Sequence, residues 1–281
     1  MIQNNLVIIC HNLKCGGTEN VITKLVNYFS VEGKQVTIIT LGKADIFSGF
    51  DISTKVKIIE LNKINNTNFF IEKLNIFNYV LRLREYMLEN PGSIFLSFLT
   101  IPSIISILAS LGLKIRLFAS ERINPKGDFL IPLHWKFLRW ALYNKLTTLI
   151  VQTEEISNYF RKSIPSTKIE VIPNSVTLPD SELIPSYEAD IKATLQVLFI
   201  GRLEIQKGLD VLIESLKILS FESNLNMYVR IVGSGSLHGM VQKAINDPLL
   251  KKWVCLYPET NDISQYLCKS DLVVLPSRYE G

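Results

Sequence analysis

Two cations and two glycines stand together in Gly201-Arg202-Leu203-Glu204-Ile205-Gln206-Lys207-Gly208. An apolar run, Val197-Leu198-Phe199-Ile200, precedes them; Leu209, Leu212, Ile213, Leu216 and Leu219 follow at helical spacing. The octet therefore reads as a loop from a buried strand into a helix. Gly201 permits a tight turn, and Gly208 frees the entry to the helix. Arg202 and Lys207 lie where the helix dipole is already positive. Two cations there are unfavourable unless an anion joins them, or unless both side chains simply point into water. A phosphate would suit the first case, since free helix N–H groups and both cations favour it. Charge alone does not separate the two.

Three other stretches could carry chemistry. Gly16-Gly17 follows the apolar run Leu6-Val7-Ile8-Ile9 and precedes a helix with Val21, Ile22, Leu25, Val26 and Phe29 as its apolar face, which Thr18 can cap. Backbone N–H groups there can approach a ligand at the carboxyl end of a strand, or the pair is a plain tight turn. Glu19 suits the first turn of that helix by its charge. Ser120-Glu121-Arg122-Ile123-Asn124-Pro125 closes another strand with a charged pair, a candidate site or a local surface salt bridge. Gly233-Ser234-Gly235 follows a third strand but lacks the Gly-x-Gly-x-x-Gly fingerprint, which argues against a Rossmann dehydrogenase.

Strands are expected at 5–10, 35–40, 56–61, 94–98, 114–120, 147–153, 168–172, 196–200, 227–232, 253–257 and 271–275. Helices lie between many of them, including 71–88 with Leu74, Phe77, Leu81 and Leu88 inward. Strands alternating with helices imply an α/β chain with parallel, doubly wound sheets. Thr177 to Ala193 is polar and without period, and reads as a linker.

Gly201 through Leu212 closely resembles the diphosphate-binding loop of retaining glycosyltransferases of family 4, enzymes with two Rossmann-like domains (GT-B). Four further stretches are similar to that family: Gly16-Gly17-Thr18-Glu19, Ser120-Glu121-Arg122, Pro173-Asn174-Ser175-Val176 and Pro276-Ser277-Arg278-Tyr279-Glu280-Gly281. Here Ser175 replaces a usual glycine. Pro258 also departs from the family pattern near the base, and many members carry a histidine near Glu121 where this chain has none.

The resemblance implies a GT-B fold: an acceptor-side domain over 1–176, a linker over 177–193, and a nucleotide-sugar domain over 194–281, facing one another across a cleft. It implies donor binding by Gly16, Gly17, Arg202, Lys207, Gly233, Gly235 and Glu280, with catalysis resting on Arg202, Lys207 and Glu280. Glu121, Arg122 and Asn174 are further candidates near the donor sugar. Glu280 would be the first residue of the family's two-glutamate motif, whose second member grips the ribose. The chain stops one residue later, so the second domain is expected to be cut short.

The expected reaction is retaining transfer of a sugar from a nucleoside-diphosphate sugar, UDP being the expected nucleotide, to a glycan or lipid-linked acceptor of surface-polysaccharide, O-antigen or capsule assembly. No cofactor and no metal are expected: no Asp-x-Asp pair occurs, and Arg202, Lys207 and a helix N-terminus can stabilise the departing diphosphate. The alternative is a truncated, inactive remnant or a nucleotide-sugar binding module. A GT-B epimerase fits the octet less well.

Composition agrees with a globular chain. It has 281 residues, 47% of them hydrophobic, and a net charge of +4 without the clustered bases of a nucleic-acid binder. The mild positive charge suits an anionic ligand or membrane surface. Cys10, Cys15, Cys255 and Cys268 form no metal or redox spacing; a reduced, cytoplasmic chain is expected, with Cys10, Cys255 and Cys268 buried. Ser93 to Leu113 is long enough and apolar enough to cross a bilayer. It reads instead as a buried strand and an apolar helix opened by Pro102. Leu133 to Lys145 mixes aromatic and basic residues, which suits either a helix on anionic lipid at the inner face of a membrane or ordinary core packing.

Overall fold

Apolar runs of four to six residues become parallel strands in the first unit because both faces of its sheet are covered. The computed structural model describes residues 5–14, 16–47, 49–61, 69–125, 131–175, 194–221, 226–260 and 262–278. The chain divides into two compact units, Met1–Ser175 and Val176–Glu280. The expected linker, 177–193, lies outside the described residues.

The first unit holds a seven-stranded sheet of β1 (Asn5–Cys10), β2 (Gln35–Thr40), β3 (Lys57–Glu60), β4 (Ile94–Phe98), β5 (Arg116–Ser120), β6 (Thr148–Val151) and β7 (Lys168–Val171). Its order is β3-β2-β1-β4-β5-β6-β7, and every pairing is parallel. This is the doubly wound order, with its switch point between β1 and β4. Strand alternation feeds two cores. Val7, Ile9, Ile39 and Phe95 belong to one; Ile8, Cys10, Ile38 and Leu96 belong to the other, with Ile22 and Val26 of α1 (Gly17–Val31). On the first side pack α2 (Phe69–Glu89), α3 (Thr100–Ser110), α4 (Leu133–Leu142) and α5 (Glu154–Ser163).

The second unit repeats the plan with β8 (Leu195–Ile200), α6 (Leu209–Leu219), β9 (Met227–Val232), α7 (His238–Asn246), β10 (Val254–Tyr257), α8 (Ser264–Leu267) and β11 (Leu272–Val273). Its sheet runs β10-β9-β8-β11, again all parallel, with the switch point between β8 and β11. Val197, Phe199, Val229 and Ile231 meet Leu209, Leu212, Ile213 and Leu216 of α6 in its core.

Several expectations need correction. Along α2 the buried face is Leu83 and Met87, with Ile76, Tyr79, Val80 and Tyr86 packed beside them; Phe77, Leu81 and Leu88 point outward. The helix is apolar on more than one side, so counting apolar residues picked the wrong face. Leu74's side chain lies outside the described residues. Thr18 does not cap α1: Gly16 is the N-cap, and no side chain caps it. Helix α3 begins two residues before Pro102, which still falls in the first turn, where no N–H partner is lost. The membrane-like segment is β4 and α3, and no described helix is long and apolar enough to cross a bilayer. Cys10 is buried, but Cys255 and Cys268 are only half-buried.

Candidate functional site

In the second unit, β8 and β9 end in register, Ile200 opposite Val232, so the loops that follow them leave the sheet side by side. They are bonded to one another. Gly201 N–H donates to the Val232 carbonyl at 3.1 Å, Leu203 N–H to that of Ser234 at 2.8 Å, and Leu237 N–H to that of Leu203 at 2.8 Å. The glycines make this approach possible. A Cβ on Gly233 would meet the Gly201 carbonyl oxygen at 2.0 Å, and one on Gly235 the Leu203 oxygen at 2.6 Å. Both have positive φ, 149° and 155°. The described structure thus gives Gly233 and Gly235 a packing role against the octet, beside the donor contact the resemblance implies.

Gly208 is the sharpest case. It takes φ 67°, ψ 24° as N-cap of α6, and a Cβ would lie 2.0 Å from the Pro276 carbonyl oxygen. A non-glycine residue would therefore face both left-handed strain and a backbone clash. Ile205–Lys207 between the two octet glycines is a 3-10 turn.

The octet is clamped from two sides. Glu204 accepts hydrogen bonds from Ser236 N–H at 3.0 Å and Ser236 Oγ at 2.6 Å. These bonds hold its carboxyl below the ordinary carboxylate value. On the other side Arg278, in the loop after β11, makes a two-pronged contact with Asp210 at 2.8 and 2.6 Å. The same guanidinium donates to the Ile205 carbonyl at 2.6 Å, and Arg278 N–H donates to that of Gln206 at 2.9 Å. The hydrogen bonds from Arg278 depress Asp210's carboxyl and raise the guanidinium. Arg202 stays exposed, its guanidinium reaching Gln206 Oε1 at 3.1 Å. Lys207 is half-buried, its stem at 3.9 Å from where a Gly201 Cβ would lie. Arg202, Lys207, Gly233 and Gly235 therefore share the carboxyl edge of this sheet at the β8 side of its switch point. Glu280 lies outside the described residues.

Gly16 and Gly17 sit at the corresponding place in the first unit, where the chain from β1 enters α1, Gly16 as N-cap and Gly17 as the first helical residue. A Cβ on Gly17 would meet nothing within 4 Å, whereas one on Gly16 would meet Glu19 Oε2 at 2.2 Å, so the Glu19 side chain folds back over the turn. Across the switch point Leu99 follows β4 with φ 70°, a strained value for a non-glycine residue, and is the N-cap of α3. Leu99 N–H bonded to the Ser120 carbonyl at 3.0 Å and Ser103 Oγ bonded to the Leu99 carbonyl at 2.7 Å hold it there.

The charged pair after β5 splits. Glu121 is 2% exposed. Its carboxylate accepts from Thr100 Oγ1 at 2.8 Å and from the buried Tyr143 hydroxyl, while Arg139 donates to Thr100 Oγ1 at 3.2 Å. Burial, and then the charge of Glu121, push the Tyr143 hydroxyl well above its ordinary pKa. Instead of a surface salt bridge, Glu121 knots β5, α3 and α4 together. Arg122 faces the strand ends: it donates to Asn174 Oδ1 at 2.6 Å, to which Gln152 also donates at 3.2 Å, and it lies 5.5 Å over the Phe98 ring. Burial lowers its pKa, and its Nε has no partner among the described residues.

Arg278, Glu204 with Ser236, and Leu99 escaped the sequence reading. Opposite charges at 210 and 278 are a signal only once the fold brings them together. Nothing in the types of residue around Leu99 announces a positive φ.

Comparison with known proteins agrees with this architecture. The model of Glycosyltransferase Family 4 matches residues 15–178, and that of Glycosyl transferases group 1 matches residues 187–281. An uncharacterized glycosyltransferase of Haemophilus influenzae is 26% identical over 95% of this chain and 72% of its own length. A Campylobacter jejuni α-1,4-N-acetyl-D-galactosaminyltransferase, named for an undecaprenol-diphosphate-linked acceptor, is 27% identical over 82% of this chain and 61% of its own. This chain therefore spans about two thirds of those relatives. Anabaena HepE, solved in complex with UDP, superposes with a TM-score of 0.69 at 16% identity, over 97% of this chain and 74% of its own. The two parallel sheets have the GT-B form, and the chain belongs to glycosyltransferase family 4.

Proposed function

We propose that this chain carries the donor machinery of a retaining glycosyltransferase, which moves a sugar from a UDP-sugar to a lipid-linked or glycan acceptor in surface-polysaccharide assembly. The observation that carries the reading is the clamped octet. The Arg278–Asp210 and Glu204–Ser236 contacts hold the loop still while Arg202 remains exposed beside the N-terminus of α6. Preorganised cations at a helix N-terminus are what a departing nucleoside diphosphate needs, because charge develops on it as the glycosidic bond breaks. Arg202 offers a planar fork to two phosphate oxygens and Lys207 a compact charge.

In this reading the donor's own phosphate oxygen takes the acceptor's proton on the face where the new bond forms, so configuration is kept without a protein nucleophile. Glu280 would hold the sugar hydroxyls, Gly16 and Gly17 would let backbone N–H groups approach the phosphates, and Arg122 with Asn174 would present donors to a polar ligand. No metal is needed, so turnover would survive chelation. The lipid-linked acceptor is argued from the Campylobacter relative's name, and the UDP from the HepE complex.

Calorimetric titration with UDP tests the assignment. Arg202→Ala and Lys207→Ala should each weaken binding by about 1–3 kcal/mol, the worth of a charge-assisted hydrogen bond. Unchanged affinity in both would remove it. Release of UDP from a UDP-sugar with an acceptor present separates a transferase from a binding module.

A further inference from the structure

We propose that α4 is a docking face for an anionic lipid surface. Leu133, Phe137 and Trp140 are 83%, 63% and 59% exposed. They recur at i, i+4 and i+7, so they form one outward stripe, with the Phe137 and Trp140 rings 6.0 Å apart. The opposite side of α4 faces the core: Trp135 and Arg139 are buried, and Leu138 and Leu142 pack beside them. The sequence left lipid contact and core packing as alternatives for this stretch; the structure divides the aromatic residues between the two.

Charge selects the occupant. From Ile131 to Thr147 there is no acidic residue, while Lys136 and the exposed Lys145 flank the stripe. Two other apolar helix faces among the described residues differ in this respect. On α2, Phe77, Leu81 and Leu88 share the surface with exposed Glu85 and Glu89. On α6, Val211 and Ile218 stand beside Asp210 and Glu214. Both faces also carry bases, Arg82 on α2 and Lys217 on α6, so their charges balance, whereas α4 carries bases alone and is the face that an anionic leaflet would attract. Trp belongs at the headgroup boundary, where a partly polar ring is favoured, Phe and Leu enter the acyl edge below it, and lysine stems extend from there to the phosphates. Helix α4 is ten residues long, so it would lie in the interface rather than span it.

This inference stands on α4 alone and does not depend on the donor site. Its test is co-sedimentation of the full chain with vesicles of phosphatidylcholine, alone or with about a third phosphatidylglycerol. We expect binding to the anionic vesicles only, weakened by salt. Phe137→Ser with Trp140→Ser should lower the bound fraction about ten-fold, and Lys136→Glu with Lys145→Glu should abolish the preference for anionic lipid. UDP affinity should be the same in every variant; that also shows that the fold is intact and keeps failure here distinct from failure of the donor assignment. Three results would each overturn the proposal: no binding of the unaltered chain to anionic vesicles, equal binding by the serine variant, or a self-association in light scattering that the serine variant removes, which would make a second copy the occupant.

Discussion

The loops after β5 and after β8 begin alike. Each leaves the carboxyl end of a parallel strand, and each carries acidic and basic residues within a few positions. The fold treats them oppositely. After β5, Glu121 turns under the sheet into a buried set with Thr100, Tyr143 and Arg139, and only Arg122 remains toward the edge. After β8, the acids hold the loop while the leading cation stays in solvent: Glu204 grips Ser236, Asp210 grips Arg278, and Arg202 is exposed. A charge that the fold consumes sets position. A charge that the fold leaves over, on a loop held still by others, is available to a ligand.

Substitutions can break this contrast. Glu121→Ala should be the most costly, about 3–5 kcal/mol, because it strands the hydroxyls of Thr100 and Tyr143 and the Arg139 guanidinium in the interior. Urea unfolding of the first unit, followed through Trp135 and Trp140, would measure it; a cost under about 1 kcal/mol would mean that the network is ornamental. Gly233→Ala should come next, at about 3 kcal/mol for the second unit, since its Cβ lands on the Gly201 carbonyl. Gly17→Ala, whose Cβ meets open space, should change stability by no more than about 0.5 kcal/mol. The single Trp253 of the second unit reports on the first of these glycine changes.

Arg202→Ala sharpens the contrast from the other side. Stability should stay within about 0.5 kcal/mol while UDP binding falls, the reverse of the Glu121 result. Arg278→Ala should also cost little stability, since the pair with Asp210 is substantially exposed and screened. Its pH dependence is specific. Asp210's carboxyl is depressed in the fold, so the pair's contribution is complete above the unfolded value of about 3.9 and is lost as pH falls through the lower folded value. The unaltered chain and Arg278→Ala should therefore differ equally at pH 7 and pH 5 and converge near the acid limit.

Cysteine shows a third use of burial. Cys10, at the end of β1, has its thiol pushed up to about 12 by burial and then by the charge of Glu19. A thiol reagent at neutral pH should label Cys255 and Cys268, which are half-buried, well before Cys10.

Much of the fold was legible in the chain because its signals are local. Leu6 to Ile9 and Val197 to Ile200 are apolar runs too short for a helix, and the stripe from Leu209 to Leu219 repeats at helical period. The octet's glycines and cations sit in the one loop between such signals. The misreadings have local causes too. On α2, apolar residues outnumber one face, so period alone could not choose between Phe77 and Leu83. On α4, aromatic residues on both sides hid a clean outward stripe.

What only the tertiary structure decided is which elements are neighbours. Strand order in a sheet depends on which apolar faces cover one another, a choice made by residues far apart in the chain. That choice set β1 beside β4 and β8 beside β11, and so placed Gly16-Gly17 and the Arg202–Lys207 loop at the two switch points. It also brought Arg278 onto Asp210, folded Glu121 inward, and left Leu133, Phe137 and Trp140 in solvent. The sequence by itself determined the period of each element and the chemistry of each loop, since both rest on residues close in the chain. Long-range packing determined which of those loops met, and which charges remained exposed.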